Sequence, residues 1–257
     1  MESAVTLKTI FVGEYGSGKS SLMHRLAKGE FRDPKHICTI VCDFLYHEIP
    51  SSGIRLQLWD PSGSERYRSI PPTFSRSADI VFACVDVTEF TADASAGHQR
   101  ALIQLNQWIV QVQLHMQATR ARSEQQVSRR PGAGVLVVVA TKADQVSPDE
   151  LDVRMALLRQ FVADLEFDNT DSDEVGQWID ATFPRAPPQV VSTSALTGEG
   201  VAEMAIAASQ MAQALIPSCT TAIARPGAVR LPPVNGDGIP KIPAGSQKRS
   251  TRMFCWA

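Results

Sequence analysis

Short apolar runs alternate along this chain with stretches in which apolar positions return at helical spacing. Leu7 to Val12, Phe44 to Ile49, Arg55 to Asp60, Ile80 to Asp86, Val135 to Thr141 and Gln189 to Ser192 read as strands. The turn Pro50-Ser51-Ser52-Gly53 joins the second and third into an adjacent pair. Ser20 to Lys28, Asp149 to Leu165 and Val201 to Leu215 read as helices, as does a segment carrying Leu102, Leu105, Trp108, Ile109 and Val112 on one face. Trp108 on that face reads as core. Strand and helix in alternation predict an α/β fold with a mostly parallel sheet, whose ligands sit at the carboxyl ends of the strands.

Chemistry collects at those ends. Directly after the first strand stands Gly13-Glu14-Tyr15-Gly16-Ser17-Gly18-Lys19-Ser20, which fits G-x-x-x-x-G-K-[ST]. Glycines there let backbone N–H groups turn inward around phosphate oxygens. Lys19 reaches the β- and γ-phosphates, and the Ser20 hydroxyl is suited to Mg²⁺. Thr141-Lys142-Ala143-Asp144 follows the fifth strand and matches [NT]-K-x-D. A carboxylate such as Asp144 accepts hydrogen bonds from both N1–H and the exocyclic amine of guanine, a donor pair that adenine lacks. The Lys142 stem can lie across the base. Asp60-Pro61-Ser62-Gly63 is a D-x-x-G match, Thr39 lies upstream of it, and Thr193-Ser194-Ala195 follows the last strand.

The order P-loop, Thr39, D-x-x-G, T-K-A-D and T-S-A resembles the Ras-like small GTPases. That resemblance implies a P-loop NTPase of three layers with a mostly parallel six-stranded sheet. It also implies GTP/GDP and Mg²⁺ as cofactors, with Ser20, Thr39 and Asp60 (through water) around the metal, and Lys19, Thr39, Gly63 and the residue at 64 as the catalytic set. The nucleotide set it implies is Gly13 to Ser21, Phe31, Thr39, Gly63, Thr141, Lys142, Asp144, Ser194, Ala195 and Leu196. Phe31 stands at the spacing from Ser20 where the family places an aromatic edge-on to guanine. The γ-phosphate orders the switch segments through Thr39 and Gly63.

Within that superfamily the flanking segments are similar to Rab proteins. Ile40-Val41-Cys42-Asp43-Phe44 resembles I-G-V-D-F, Ser64-Glu65-Arg66-Tyr67-Arg68-Ser69-Ile70 resembles Q-E-R-[FY]-R-[ST]-I, and Phe82 to Thr88 resembles L-V-Y-D-[IV]-T. The resemblance implies effectors that read Phe44, Trp59 and Tyr67. It also implies an exchange factor, a GTPase-activating protein and a role in vesicle trafficking or signalling. Three departures bear on mechanism. Ser64 replaces the Gln that orients the attacking water, and its hydroxyl is too short to span that gap. Tyr15 puts a bulky ring where Gly or Ser is usual, beside the path of an arginine finger. Thr141 stands where Asn is usual, so a hydroxyl replaces one loop-bridging amide. Slow intrinsic hydrolysis is the expectation. A non-hydrolysing GTP-binding module is the first alternative, and another P-loop kinase or ATPase the second.

Composition changes this picture little. At 257 residues the chain is long enough for one sizeable core, which the resemblance assigns to a Ras/Rab-like GTP-binding domain over residues 1–216, and a net charge of −2 gives no reason to expect a nucleic-acid partner. Insertions are predicted near 117–134, with Arg120, Arg122, Arg129 and Arg130, and near 164–188, which is acidic. Residues 217–257 are rich in Pro and Gly and predict a flexible tail. Cys255 is third from the end, so C-a-a-X is not met, and lipidation there stays open. Lys248, Arg249 and Arg252 favour peripheral attraction to an anionic membrane. No apolar run approaches the ~20 residues of a membrane span, and the start Met1-Glu2 lacks the features of a signal peptide. The expectation is a cytoplasmic protein, with the cytosolic face of an intracellular membrane as an alternative, and with reduced cysteines.

Overall fold

The computed structural model describes residues 5–32, 42–50, 52–61, 72–75, 77–89, 96–123, 133–165 and 186–215. Six strands form one sheet: β1 (Val5–Val12), β2 (Cys42–Ile49), β3 (Ile54–Pro61), β4 (Ile80–Asp86), β5 (Val135–Thr141) and β6 (Gln189–Ser192), in the order β2-β3-β1-β4-β5-β6. Only the β2–β3 pair is antiparallel, with Phe44 opposite Trp59 and Ile49 opposite Ile54 at the turn. The other neighbours are parallel. Among the described residues, five α-helices accompany them: α1 (Lys19–Lys28), the short α2 (Pro72–Ser75), α3 (Ala96–Ser123), α4 (Pro148–Asp164) and α5 (Val201–Leu215).

β4 and β5 are buried at every position, as continuous apolar strands covered on both faces should be. Alternation along the strands divides their side chains between two cores. On one face Phe11, Leu56, Phe82, Val137 and Val139 pack with Leu22 and Met23 of α1 and Met204 and Ala208 of α5. On the other, Ile10, Val81, Ala83, Leu136 and Val138 pack with Leu105, Trp108 and Val112 of α3 and Leu158 and Val162 of α4. The result is the α/β fold with a mostly parallel sheet that the pattern predicted, in the three-layer, six-stranded form that the Ras-like resemblance implied.

Two boundaries differ from the sequence reading for identifiable reasons. α4 begins at Pro148 because Ser147 and Glu150 form a reciprocal capping box with proline at the first helical position. α3 continues to Ser123, so the first part of the segment predicted as an insertion, 117–123, is helix. Its residues Gln, Ala and Arg favour helix, and the predicted breakers Pro131 and Gly132 lie farther on. Both Pro131-Gly132 and the acidic stretch 166–185 fall outside the described residues.

Cys42 and Cys84 are free thiols. Burial pushes Cys84 up to about 12 and Cys42 up to about 11, so both are held as thiols, which are poor nucleophiles. Alkylation of folded protein at pH 8, followed by peptide mass analysis, should leave Cys84 unmodified until denaturant is added. Labelling of Cys84 in folded protein would contradict the packing described.

Candidate functional site

The carboxyl ends of β1, β3, β4, β5 and β6 converge on one edge of the sheet. From β1 the chain turns through Gly13 to Gly18 into α1. At Gly13 (φ 142°) a Cβ would lie 2.2 Å from the Cys84 carbonyl oxygen, so only glycine lets the loop pass β4 this closely. Gly18 (φ 85°) leads directly into α1, and a Cβ there would lie 3.3 Å from Thr141. The loop therefore rests against β5 with its backbone free to face a ligand. The α1 N-terminus ends this loop, and the dipole of a helix N-terminus favours an anion.

Lys19 is buried, with Nζ donating to the Glu14 carbonyl at 2.7 Å and lying 3.4 Å from Ser17 Oγ. Burial pulls its ammonium below the ordinary lysine range, while the Asp60 carboxylate pulls the opposite way. An ammonium already stripped of water interacts strongly with an incoming anion. Ser20 Oγ donates to Asp60 Oδ2 at 2.5 Å, and Asp60 is fully buried at the end of β3. A hydroxyl beside a buried carboxylate is a hard oxygen set suited to Mg²⁺ that is completed by phosphate oxygens. Thr39, Gly63 and Ser64 lie outside the described residues.

The T-K-A-D segment is tied to both neighbours. The Thr141 hydroxyl donates to the Ser17 carbonyl at 2.7 Å and lies 3.1 Å from the Val85 carbonyl, joining P-loop, β4 and β5 at one point. Lys142 has φ 60° and its Nζ meets Asp86 Oδ2 at 2.6 Å. Asp86 is itself fixed by Thr88, whose N–H and hydroxyl donate to Oδ1 at 2.9 and 2.7 Å. Ser194 Oγ donates to Asp144 Oδ1 at 2.5 Å, and the Ala143 N–H donates to the Thr193 carbonyl at 3.1 Å. Asp144 and the Ser194–Leu196 loop are thus one assembly. Thr193 Oγ1 is buried without a hydrogen-bond partner among the described residues, beside the position where a hydroxyl replaces the longer amide.

Phe31 is partly exposed after α1. The Ser21 hydroxyl donates to the Arg32 carbonyl at 2.9 Å, and Arg32 pairs with Asp43 at 2.9 Å. Ser21, one of the nucleotide set from the sequence, therefore uses its hydroxyl to anchor the segment carrying Phe31. Tyr15 is 63% exposed at the lip of a shallow cleft shared with Glu14, Glu89, Gln104 and Trp108. Trp108 is core, as predicted, but its Nε1 also lies 3.4 Å from Glu14 Oε2, linking α3 to the P-loop. At the outer strand β2, Phe44 contacts Trp59 of β3 (ring centroids 4.5 Å) and Tyr46 (4.8 Å), and Trp59 contacts Phe74 (5.7 Å). Tyr67 and Cys255 fall outside the described residues. Among the described residues no helix is long and apolar enough to cross a membrane.

Sequence reading missed Asp86 as the anchor of Lys142, Glu14 as a partner of Trp108, and Arg25. Arg25 donates from Nε to the Ala195 carbonyl at 2.6 Å and from Nη2 to the Leu196 carbonyl at 2.7 Å. Its one visible signal was a basic residue in the last turn of α1, which the helix dipole alone accounts for.

Comparison with known proteins agrees with this geometry. The family described as Ras of Complex, Roc, domain of DAPkinase matches residues 8–123. The Ras-related protein Rab-18 of Caenorhabditis elegans is 38% identical over 95 residues, 36% of this chain and 46% of the relative. Rab-18 of Caenorhabditis briggsae is 41% identical over 85 residues, 32% of this chain and 42% of the relative. Rab-18-B of Danio rerio is 42% identical over 86 residues, 33% of this chain and 42% of the relative. The chain thus matches these curated relatives over less than half of their length. The sheet order and the P-loop against β5 are Ras-like, and over the matched segment the chain is similar to the Rab-like small GTPase Rab-18 of three species.

Proposed function

We propose that the protein is a guanine-nucleotide-dependent switch that binds GTP and GDP with Mg²⁺ and hydrolyses GTP slowly. The observation that carries this reading is the assembly of Asp144 with Ser194, joined through Thr141 and Ser17 to the P-loop. It ties the Asp144 carboxylate to the P-loop, which supports a role for Asp144 in reading the base and for the P-loop in holding phosphate. The P-loop backbone and Lys19 would hold the phosphates, Asp144 the N1–H and amine of guanine, and the Ala195 and Leu196 N–H groups its carbonyl. Ser20 and Asp60, with Thr39, would hold Mg²⁺, which when bound neutralises β- and γ-phosphate charge. Thr39 and Gly63 would carry the state of the γ-phosphate to the surface bearing Phe44, Trp59 and Tyr67. Effectors, an exchange factor and an activating protein would read or change that state, in vesicle trafficking or signalling on the cytosolic face of a membrane, with Cys255 and the tail's basic residues as its membrane contacts. The domain would end near residue 216. Displacement of a fluorescent GDP analogue tests the reading: GTP and GDP should compete and ATP should not.

The exposed ring of Tyr15 at the lip of the cradle favours slow turnover, and a non-hydrolysing binding module is the limiting form of the same reading. Ser64→Gln should accelerate single-turnover hydrolysis of loaded GTP by about ten- to a hundredfold, the value of positioning one water. A parent as fast as its Ser64→Gln variant would show that another group orients the water.

A further inference from the structure

Two loops flank the proposed base site, and a single side chain holds both. Arg25 donates from Nη1 to the Gly29 carbonyl at 2.5 Å, in addition to its bonds from Nε and Nη2 to the Ala195 and Leu196 carbonyls at 2.6 and 2.7 Å. Gly29 caps α1 with φ 72° and opens the segment that carries Phe31. The Arg25 stem runs beside the second loop, its Cδ lying 3.8 Å from where a Cβ on Gly198 would stand. One planar guanidinium, with donors in a fixed fork, therefore bridges the Gly29 turn to a loop whose Ala195 stands 170 positions after Arg25 itself.

We propose that Arg25 is a positioning residue for the nucleotide base, locking the Ser194–Leu196 loop to the Phe31 segment and so setting the rate of nucleotide release. The inference rests on the guanine-nucleotide reading above. In a planar trans peptide the C=O and the following N–H point in opposite directions. Holding the Ala195 carbonyl from the α1 side therefore aims the Leu196 N–H away from α1, and holding the Leu196 carbonyl fixes the next peptide likewise. Internal bonds of the loop, from Gly198 N–H to the Ser194 carbonyl at 2.8 Å and from Thr197 N–H to Ser194 Oγ at 3.1 Å, make it a rigid turn. Arg25 fixes where that turn sits. Without the fork, the turn and the Phe31 segment move independently, and the base site opens.

The test uses the full chain loaded with a fluorescent GDP analogue and Mg²⁺. Arg25→Met keeps the stem against Gly198 and removes every donor, whereas Arg25→Lys keeps the charge without the fork. Release should be about ten- to a hundredfold faster in the Met variant and less accelerated in the Lys variant. The factor by which EDTA speeds release should match the parent's, since the phosphate and metal side is untouched. Hydrogen exchange should rise at residues 194–198 and not in β1 or β4. Release within twofold of the parent in both variants would overturn the proposal. So would faster release with equal loss of protection across β1 and β4, which marks general loosening. A parent that holds no GDP at all would overturn the guanine-nucleotide reading and, with it, this role for Arg25.

Discussion

Asp144→Asn is expected to weaken GDP and GTP binding by about two to three powers of ten, roughly 2.7–4 kcal/mol. A carboxylate offers two acceptor oxygens to the paired donors of guanine, while an amide turns one acceptor into a donor that faces a donor. The loop itself should survive the change. The Asn carbonyl oxygen can still accept from Ser194 Oγ, and Asp144 lies on the surface, outside both cores. The same amide complements xanthine, whose 2-oxo group replaces the amine. Xanthosine diphosphate should therefore bind the Asn variant more tightly than it binds the parent, a gain that misfolding cannot produce. Titration calorimetry with the two diphosphates separates the cases. Loss of both, with a normal melting curve, would place the base elsewhere.

Asp79→Ala should produce the largest loss of stability, about 2–4 kcal/mol, and leave binding nearly intact. Asp79 is buried at the start of β4, on the opposite edge of the sheet from the site. Its carboxylate accepts from the Lys8 N–H at 2.9 Å and the Ala133 N–H at 3.0 Å. Its own N–H and C=O pair with Lys8 and Val135 at 2.8 and 2.9 Å. One side chain thus ties the entry of β5 to β1 across β4. Alanine would leave two peptide N–H groups without their acceptor, and each costs about 1–2 kcal/mol when water cannot reach it. For a domain of this size that lowers Tm by about 6–12 °C. GDP affinity measured well below the transition should stay within about threefold, because β4 puts roughly 20 Å between Asp79 and the site. A shift of under about 2 °C would show that water satisfies those groups.

Strand positions and motifs were legible because both are local. A buried parallel strand must be apolar at nearly every residue, so Ile80 to Asp86 and Val135 to Thr141 could be bounded from composition alone. The phosphate loop was legible because glycine is demanded where the chain passes β4 at Gly13. The clamps were not. Arg25 and Asp79 bond to main-chain groups that every residue carries, 170 and 71 positions away, and no side chain at the far end records the contact. The pairing of Trp108 with Glu14 spans 94 positions and was hidden because an indole on an apolar helix face needs no further explanation. The α3 extension was obscured by its arginines, which resemble a loop's charge run yet are good helix formers when propensity is read residue by residue.

If the P-loop and the Asp144–Ser194 assembly hold one guanine nucleotide, the protein should carry it through purification. Purified protein should be denatured, and the released nucleotide separated and quantified against protein. GDP or GTP should be recovered at close to one per chain, displaced by added guanine nucleotide and not by ATP. Recovery of an adenine nucleotide, or equal displacement by ATP and GTP, would contradict it.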